Sequence, residues 1–320
     1  MKSIALQPTL PLFPTEAPLG RPNPDAEAVR CRAGVEHHEL RIRTILNRCT
    51  SSRMPFGWTI NPYRGCEFGC TYCYARYTHS FFDLDRWQDF EQRIYVKQRA
   101  AEVLRRQLRK SDFRGSSIAI GTATDPYQPA EHHYRVTRSL LEVFQEVEGL
   151  SLSITTKSPL VTRDLDLLEA LDAHHSIQVH LTITTADPVL ARRIECHAPD
   201  PRARFRALRQ LTDRGIETHV YCMPLMPGIN DSTEALEPLF EQARDLGATD
   251  IVASPLFLRS NARSRFFPWL EEEFPHLLRR YRRLYGWRDY LRQGDKDILM
   301  APFRQLKLKH GFPRPVAGRG

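Results

Sequence analysis

Apolar segments and amphipathic segments alternate regularly along the chain beyond about Arg53. Six short apolar segments have the composition of strands: residues 56–62, 116–124, 150–157, 177–184, 217–224 and 250–258. Between them lie five segments with helical periodicity: residues 98–110, 135–148, 162–174, 201–215 and 232–247. A repeated strand–helix order is typical of parallel strands joined by right-handed crossover helices. We therefore predict an α/β fold in which six such units form an open or partial barrel.

The third and fourth predicted strands each carry a polar residue at every second position. The polar series runs from Ser151 to Lys157 in one strand and from Gln178 to Thr184 in the next. Because side chains alternate faces along a strand, one face should meet the helices and the other should line the barrel interior. Closed eight-stranded barrels fill that interior mainly with Val, Ile and Leu. A polar interior indicates a bound polar ligand, whereas the alternative is an amphipathic sheet that faces water.

The pattern divides the chain into three regions. Residues 1–52 form an N-terminal extension that is proline-rich over its first 30 residues and is expected to be partly disordered. Residues 53–258 form the predicted barrel domain, and residues 259–320 form a basic, aromatic-rich helical extension. The chain has 320 residues, which is long enough to bury a substantial core.

The net charge of +8 suits either a polyanionic partner or a solvated basic surface. Arginines and aromatic residues are interleaved between residues 265 and 293, a pattern that suits phosphate contacts and base stacking. The same pattern also suits an amphipathic helix that packs its rings against the barrel. The sequence leaves both interpretations open.

The sequence contains no uninterrupted apolar run long enough to span a membrane, and its first residues lack the apolar core of a signal peptide. We therefore expect a cytoplasmic protein with no membrane partner. In a reducing compartment, clustered cysteines favour metal or redox chemistry over disulfides.

Three of the seven cysteines lie directly after the first predicted strand, at Cys66, Cys70 and Cys73. A structural zinc site needs four ligands, and His79 is the nearest candidate for the fourth. An iron–sulfur cluster held by three thiolates would instead keep one iron open to another ligand. Spacing alone does not decide between these two kinds of site.

The segment CEFGCTYCYAR resembles the cluster loop of the radical S-adenosylmethionine (radical SAM) superfamily, whose signature is Cys-x3-Cys-x-aromatic-Cys. More narrowly, NPYRGCEFGCTYCYAR, GTATDPYQPAE, TTKSPL and PLMPGIND together resemble the spore photoproduct lyase-like branch, often labelled DNA repair photolyase. The resemblance extends over residues 54–258.

This resemblance implies a partial (β/α)6 barrel of the TIM type, with a [4Fe–4S] cluster at the carboxyl ends of the strands. Cys66, Cys70 and Cys73 would bind three irons, and the fourth iron would bind S-adenosylmethionine. One electron, delivered by a donor such as flavodoxin or ferredoxin, would release a 5′-deoxyadenosyl radical that takes hydrogen from a substrate. By analogy the substrate is a nucleic acid, and a peptide or tRNA substrate is the alternative. A non-catalytic nucleic-acid-binding protein stabilised by zinc or an Fe–S cluster is the other class of function.

The resemblance also implies six cofactor-binding residues at or after predicted strand ends: Thr124, Asp125, Lys157, Thr182, Thr184 and Asn230. Lys157 would pair with the methionyl carboxylate, and Thr124 and Asp125 would meet the amine. Thr182 and Thr184 would hold the ribose or carboxylate, and the loop around Asn230 would pack on the adenine. The alternatives are a turn at Thr124–Asp125, the β-propensity of threonine and a ligand-free turn at Asn230.

No catalytic residue is assigned, although Tyr74 and Cys222 are weak candidates. Spore photoproduct lyase carries a hydrogen-returning cysteine where this chain has Ala123. Cys222 would have to replace it, but a small buried hydrophobic residue is the better interpretation of that cysteine. We therefore expect inefficient repair of the spore thymine dimer.

Overall fold

Two β-sheets and a surrounding layer of helices make up the computed structural model, which describes residues 30–32, 34–52 and 54–313. The strands are β1 (Arg30–Arg32), β2 (Val35–Glu39), β3 (Asn47–Arg48), β4 (Trp58–Ile60), β5 (Tyr63–Arg64), β6 (Arg93–Val96), β7 (Ser117–Ile120), β8 (Ser151–Thr156), β9 (Ser176–Thr182), β10 (Glu217–Leu225) and β11 (Asp250–Pro255).

The α-helices are α1 (Trp87–Gln92), α2 (Ala100–Leu108), α3 (Pro129–Tyr134), α4 (Val136–Phe144), α5 (Leu165–Asp172), α6 (Pro188–Ile194), α7 (Pro201–Thr212), α8 (Thr233–Asp245), α9 (Ser260–Glu273), α10 (Leu278–Tyr285) and α11 (Gln293–Lys309). Three 3-10 helices, Tyr74–Phe82, Pro159–Asp164 and Pro275–Leu277, complete the regular structure of the described residues.

The larger sheet has the strand order β11-β10-β9-β8-β7-β4-β3. Strands β4 and β7 to β11 are parallel to one another, and β3 pairs with β4 in the antiparallel direction. These six parallel strands are the six predicted from the sequence, so the α/β partial-barrel prediction is confirmed. In the described residues the two outer strands, β3 and β11, do not pair, so the barrel stays open.

The apolar face of the large sheet packs against the helices. Leu152 and Ile154 of β8 and Val179 of β9 are buried in one core with Leu168 of α5 and Leu208 of α7. Burying each such side chain contributes about 1.5–3 kcal/mol. The period-two pattern therefore predicted correctly which side chains meet the helices.

The opposite face carries polar and aromatic side chains that contact one another across strands. His180 of β9 stacks on Tyr221 of β10, with ring centroids 4.3 Å apart, and on His219, at 5.2 Å. On its other side, His180 Nδ1 lies 3.4 Å from the hydroxyl of Thr155. Burial lowers the pKa of His180 to about 3, so this ring is neutral at physiological pH.

A second sheet, of order β1-β2-β6-β5, was not predicted. Its strand β2 lies within the segment predicted as an N-terminal extension, and β2 pairs in parallel with β6. The proline-rich first 29 residues, where the disordered arm was expected, lie outside the described residues.

The C-terminal helices form a second hydrophobic core together with the cysteine-bearing loop. Tyr281 and Tyr285 of α10 and Trp269 of α9 are buried in the same cluster as Phe68 and Tyr72. Most rings of the basic extension therefore pack inward, as one of the two interpretations predicted. Within the described residues no helix is both long and apolar enough to cross a membrane.

Candidate active site

The loop that carries the three cysteines begins with a glycine that no other residue could replace without strain. Gly65 has φ +84°, and a Cβ at this position would lie 2.8 Å from the carbonyl oxygen of Arg93 and 2.9 Å from that of Phe90. This close approach lets the amide of Cys66 donate a hydrogen bond to the Phe90 oxygen at 2.9 Å. These contacts hold the start of the loop against the segment that leads from α1 into β6.

The middle of the loop is fixed to the segment after α6. The backbone of Cys70 pairs with that of Glu195 in an antiparallel bridge. Thr71 donates from its amide and from its hydroxyl to the oxygen of Ile194, at 3.0 and 3.2 Å. The amide of His197 donates to the carbonyl oxygen of Phe68 at 3.1 Å. These contacts attach the loop to the end of the βα unit that begins with β9.

A buried ion pair lies beneath this attachment. Arg204 of α7 contacts the carboxylate of Glu195 at 2.5 Å, and the side chains of both residues are 1% exposed. The same carboxylate accepts hydrogen bonds from Tyr72 and from Thr184, the latter at 2.7 Å. Burial disfavours the charge on Glu195, but Arg204, Lys157 and these two hydroxyl donors outweigh it and lower the pKa of the carboxyl.

The three thiols lie in one electrostatic environment. Burial, reinforced by the charges of Asp125, Cys70 and Cys73, raises the pKa of Cys66. Burial also raises the pKa of Cys70 to about 12, although the nearby Lys157 ammonium opposes the shift. The pKa of Cys73 is raised by burial as well, and Arg76 opposes that shift. Thiols in this setting ionise readily only against a strong positive charge, which a bound metal supplies.

The surroundings of His79 bear on whether it could complete a zinc site at the cysteines. Among the described residues, no three His, Cys, Asp or Glu side chains are grouped so that they could hold one ion. His79, the proposed fourth zinc ligand, instead donates from Nε2 to the oxygen of Arg93 at 2.9 Å and packs edge-on against Phe90. Burial lowers the pKa of His79 to about 4, so the ring is neutral.

Lys157 and Thr182 lie next to each other at the carboxyl ends of β8 and β9. Thr156 pairs with Leu181, and the same register places Lys157 beside Thr182. The Lys157 ammonium lies 5.7 Å from the ring centre of Tyr72 and makes no hydrogen bond or ion pair with any residue that the structure describes. Burial disfavours its charge, but the charges of Cys70 and Glu195 outweigh burial and raise its pKa. Lys157 is thus a charged donor available to an anionic group.

Thr124 and Asp125 hold the backbone around the cysteine loop. The hydroxyl of Thr124 donates to the oxygen of Gly65 at 2.6 Å and accepts from Gln128 at 2.9 Å. The carboxylate of Asp125 accepts from the hydroxyl of Thr156 at 2.6 Å, from the amide of Lys157 at 2.7 Å and from the amide of Tyr127. The turn interpretation accounts for these contacts, and their part in cofactor binding stays a prediction.

Thr184 and Asn230 are both buried and engaged with protein atoms. Besides its bond to Glu195, the Thr184 hydroxyl oxygen lies 3.1 Å from the carbonyl oxygen of Met223. Asn230 donates to the oxygens of Thr184 and Pro224 and accepts from the amide of Met226 at 2.7 Å. The side chain of Asn230 therefore stabilises the turn after β10. These contacts favour the alternative in which this turn forms without a bound ligand.

The two weak catalytic candidates have different surroundings. Tyr74 directly follows the last loop cysteine and donates a hydrogen bond to the oxygen of Thr122, at the end of β7. Cys222 is fully buried in the apolar core, and its thiol lies 3.6 Å from the oxygen of Thr184. Cys222 alternates with Tyr221 along β10 and so occupies the face that packs on the helices. This position does not favour its role as a hydrogen donor.

Three residues that shape the site were not identified from the sequence: Arg76, Glu195 and Arg204. Arg76 donates to the oxygen of Cys70 at 2.7 Å and contacts Glu91 at 2.5 Å. Arg76 could have been noticed as the first charged residue after the cysteines. Glu195 and Arg204 lie in amphipathic segments where a charged residue is normally exposed, so nothing in the pattern indicates their burial.

Comparisons with known proteins identify a family, related sequences and similar folds. The family model described as the radical SAM superfamily matches residues 60–238. An uncharacterized protein of Mycobacterium tuberculosis is 36% identical over 287 residues, which cover 88% of this chain and 84% of the relative. An uncharacterized protein of Methanocaldococcus jannaschii is 32% identical over 174 residues, covering 54% of this chain and 62% of the relative.

Two solved structures of spore photoproduct lyase share the fold at 14% sequence identity. The one complexed with dinucleoside spore photoproduct has a TM-score of 0.62 and covers 86% of this chain and 79% of that chain. The structure with bound AdoMet and dinucleoside spore photoproduct has a TM-score of 0.59 and covers 83% of this chain and 76% of that chain. At this identity the likeness concerns the fold alone.

The Glu195–Arg204 pair generates a prediction about stability. Glu195→Ala leaves the Arg204 guanidinium buried without its partner, which should destabilise the protein by about 3–5 kcal/mol. Urea unfolding followed by circular dichroism measures this change. Glu169→Ala, which breaks the exposed Arg214–Glu169 pair, is the matched control and should change stability little. An equally small effect at Glu195 would contradict the structural role of the pair.

The Glu195–Arg204 pair also predicts how the stability of the protein depends on pH. The pKa of Glu195 is lower in the folded protein than in the unfolded chain, so the ionised carboxylate stabilises the fold. This stabilisation is fully present above the ordinary pKa of glutamate, and it is lost as the pH falls through the pKa of the folded protein. The Glu195→Gln variant should therefore lose less stability on acidification than the wild type. Parallel stability curves for the two proteins would rule this contribution out.

Proposed function

The chain belongs to the radical SAM superfamily of enzymes, and on that premise we propose that its three loop cysteines bind a [4Fe–4S] cluster and that the strand ends beside them bind S-adenosylmethionine. The observation that carries the proposal is the position of Lys157. Its ammonium, which makes no hydrogen bond or ion pair with a described residue, lies at the same edge of the sheet as the three thiols and interacts electrostatically with Cys70.

The donor set suits a cluster better than a structural zinc ion. Three soft thiolates are the protein ligands that leave one iron of a [4Fe–4S] cluster open. A closed zinc site needs a fourth ligand, and His79 is held by the Arg93 carbonyl and aromatic rings instead.

When bound, the cluster supplies the electron that splits S-adenosylmethionine into methionine and a 5′-deoxyadenosyl radical, which removes hydrogen from a substrate. The residues of this chain bind and orient the reactants. Lys157 is placed to pair with the methionyl carboxylate, and Thr182 follows on the end of the neighbouring strand β9. Thr124, Asp125 and Thr184 keep the strand ends and the cysteine loop in register, and Arg76 offsets negative charge at the thiolates.

We propose a nucleic acid as the substrate class, with tRNA as one form of it and a peptide substrate as the alternative. The support comes from α10, whose four arginines are all exposed: Arg279, Arg280, Arg282 and Arg283. Its apolar side packs inward through Tyr281 and Tyr285, so the arginines form one outward-facing surface. Trp287, directly after this helix, is fully exposed. Cationic side chains beside an accessible aromatic ring suit phosphate contact and base stacking.

The first test concerns the metal. Anaerobic reconstitution should give about four irons and four sulfides per chain, as a [4Fe–4S] cluster requires. Cys66→Ala, Cys70→Ala or Cys73→Ala should abolish the intact cluster because each removes one of three protein ligands. Cys49→Ala, which removes a buried cysteine outside the loop, is the matched control and should leave metal content unchanged. One zinc per chain and no iron would contradict the proposal.

The second test concerns Lys157. Lys157→Ala should weaken S-adenosylmethionine binding by roughly ten- to a hundred-fold, since a hydrogen bond to a charged group contributes about 1.5–3 kcal/mol. Equilibrium dialysis on the cluster-loaded protein measures the affinity, and the visible spectrum shows that the cluster is intact. Lys110→Ala, two residues beyond the end of α2, is the control lysine. Wild-type affinity in Lys157→Ala would remove this residue from the site.

The third test concerns the substrate class. The wild type should bind single-stranded oligonucleotides with an affinity that falls steeply as salt rises. Replacing the four α10 arginines with glutamine should flatten the slope of log affinity against log salt, by up to about one unit for each phosphate that the variant no longer neutralises. Absence of binding at low salt would favour the peptide alternative.

A further inference from the structure

Tyr221 of β10 lies in the barrel interior, at the same level as two of the proposed cofactor-binding residues. Tyr221 pairs with Thr182 of β9 on one side and with Val252 of β11 on the other. The register of β8 and β9 places Lys157 beside Thr182. Paired residues on parallel strands point to the same face of a sheet, so these four side chains form one layer of the interior. Only one strand, β9, therefore separates Tyr221 from Lys157.

The ring of Tyr221 is held in place, whereas its hydroxyl is not engaged. The ring stacks on His180, with 4.3 Å between the ring centroids and 19° between the ring planes. Aromatic pairs at this separation attract each other, so the stack fixes the orientation of the half-buried tyrosine. The Tyr221 hydroxyl makes no hydrogen bond with any residue that the structure describes, and burial raises its pKa to about 12. The hydroxyl therefore stays protonated at physiological pH and can donate to a ligand.

Two carboxylates lie below Tyr221, toward the amino ends of the strands, and both have partners. Glu217 accepts a hydrogen bond from Gln178 at 2.9 Å, and its Oε1 lies 3.0 Å from Nε2 of His219. Asp250 pairs with the buried Lys307 at 2.7 Å. On strands β8 to β11, the layer that contains Tyr221 has no carboxylate of its own. The interior around Tyr221 thus offers no free anionic partner to a cationic substrate group.

Uncharged hydrogen-bonding groups lie beside Tyr221 instead. The hydroxyl of Thr155 lies 3.4 Å from Nδ1 of His180, and Nε2 of the same buried ring has no hydrogen-bond partner among the described residues. Lys157 is the cation of the layer, and the proposed function assigns it to the methionyl carboxylate. A second ionic group would lose its hydration here without gaining a counter-ion, which is costly. An uncharged group that accepts hydrogen bonds is therefore the best match to this part of the interior.

We propose that Tyr221 and His180 form the pocket that receives the substrate, and that the group bound there is a single unstacked nucleobase. The inference rests on the proposed function and specifies which part of a nucleic acid enters the barrel. The Tyr221 hydroxyl donates a hydrogen bond to a carbonyl oxygen or ring nitrogen at the edge of the base. The phosphates remain outside, where the α10 arginines neutralise them.

A nucleobase has the properties that this pocket requires. It is planar and uncharged, and it carries hydrogen-bond acceptors along its edge. A base inside a duplex cannot reach an enclosed site, so enzymes that act on a base use single strands or extrude the nucleotide from the stack. A site built to hydrogen-bond its ligand also rejects analogues that lack the matching group. Tyr221 is therefore a specificity-determining residue that contacts the substrate.

A single-stranded oligonucleotide that contains one 4-thiothymidine tests where the base lies. The cluster-loaded protein is mixed with this probe and S-adenosylmethionine, without reductant, and irradiated with long-wave ultraviolet light. Mass spectrometry should find the crosslink in the tryptic peptide that contains Tyr221, residues 215–244. Crosslinks confined to the C-terminal extension would overturn the pocket.

The variant Tyr221→Phe tests the hydrogen bond, because it removes the hydroxyl and keeps the stacked ring. Its affinity for the oligonucleotide should fall by about three- to tenfold, the effect of one lost hydrogen bond. The slope of log affinity against log salt should not change, since no phosphate contact is lost. Tyr134→Phe, at the end of α3, removes a hydroxyl outside the barrel interior and should bind like the wild type. Wild-type affinity in Tyr221→Phe would overturn the assigned role of Tyr221.

The wild type separates failure of the pocket from failure of the proposed function. A cluster-loaded protein that binds S-adenosylmethionine but no oligonucleotide at low salt would overturn the nucleic-acid substrate class, and the pocket with it. A protein that binds the oligonucleotide but forms no crosslink within residues 215–244 would overturn the pocket alone.

Discussion

The position of the cysteine loop depends on one buried carboxylate. Glu195 pairs with Arg204, accepts hydrogen bonds from Tyr72 and Thr184, and forms a backbone bridge with Cys70. A buried ion pair carries a large desolvation penalty, and this one is compensated only because every contact is present at once. The pair therefore ties α7 and the end of β9 to the one segment that carries the three thiols. Moving the loop would remove the Tyr72 hydrogen bond and leave the buried Glu195 carboxylate incompletely compensated.

This arrangement separates side chains that hold the protein together from side chains that remain available to ligands. Thr124, Thr184 and Asn230 direct their hydrogen bonds at protein atoms and so keep the strand ends and turns rigid. Lys157 is positioned by the loop and by its own backbone hydrogen bond to Asp125, while its ammonium makes no hydrogen bond or ion pair with a described residue. A site built in this way presents a charged donor beside three thiols on a rigid support. Such preorganisation suits a reaction in which a reactive radical must be kept near its target.

The sequence predicted those parts of the fold in which buried residues recur at regular intervals along the chain. Alternation along β8 and β9 predicted the strands and the face that packs on the helices, because burial of Leu152 and Val179 follows a period of two. Strands β3 and β5 have two residues each, too few to show any period, and so the second sheet and the antiparallel edge were missed. Glu195 lies far along the chain from Tyr72, and no local pattern indicates that contact. The motif resemblance identified residues near the site but did not show that several of them bind the backbone.

The central claim is that the cysteine loop and the strand ends together cleave S-adenosylmethionine. The most direct measurement is to incubate the reconstituted protein anaerobically with S-adenosylmethionine and dithionite and to quantify 5′-deoxyadenosine and methionine by chromatography. The account predicts slow formation of both products in equal amounts by the wild type, and none by Cys70→Ala. A protein with an intact, reducible cluster that binds S-adenosylmethionine and yet releases no 5′-deoxyadenosine would contradict it.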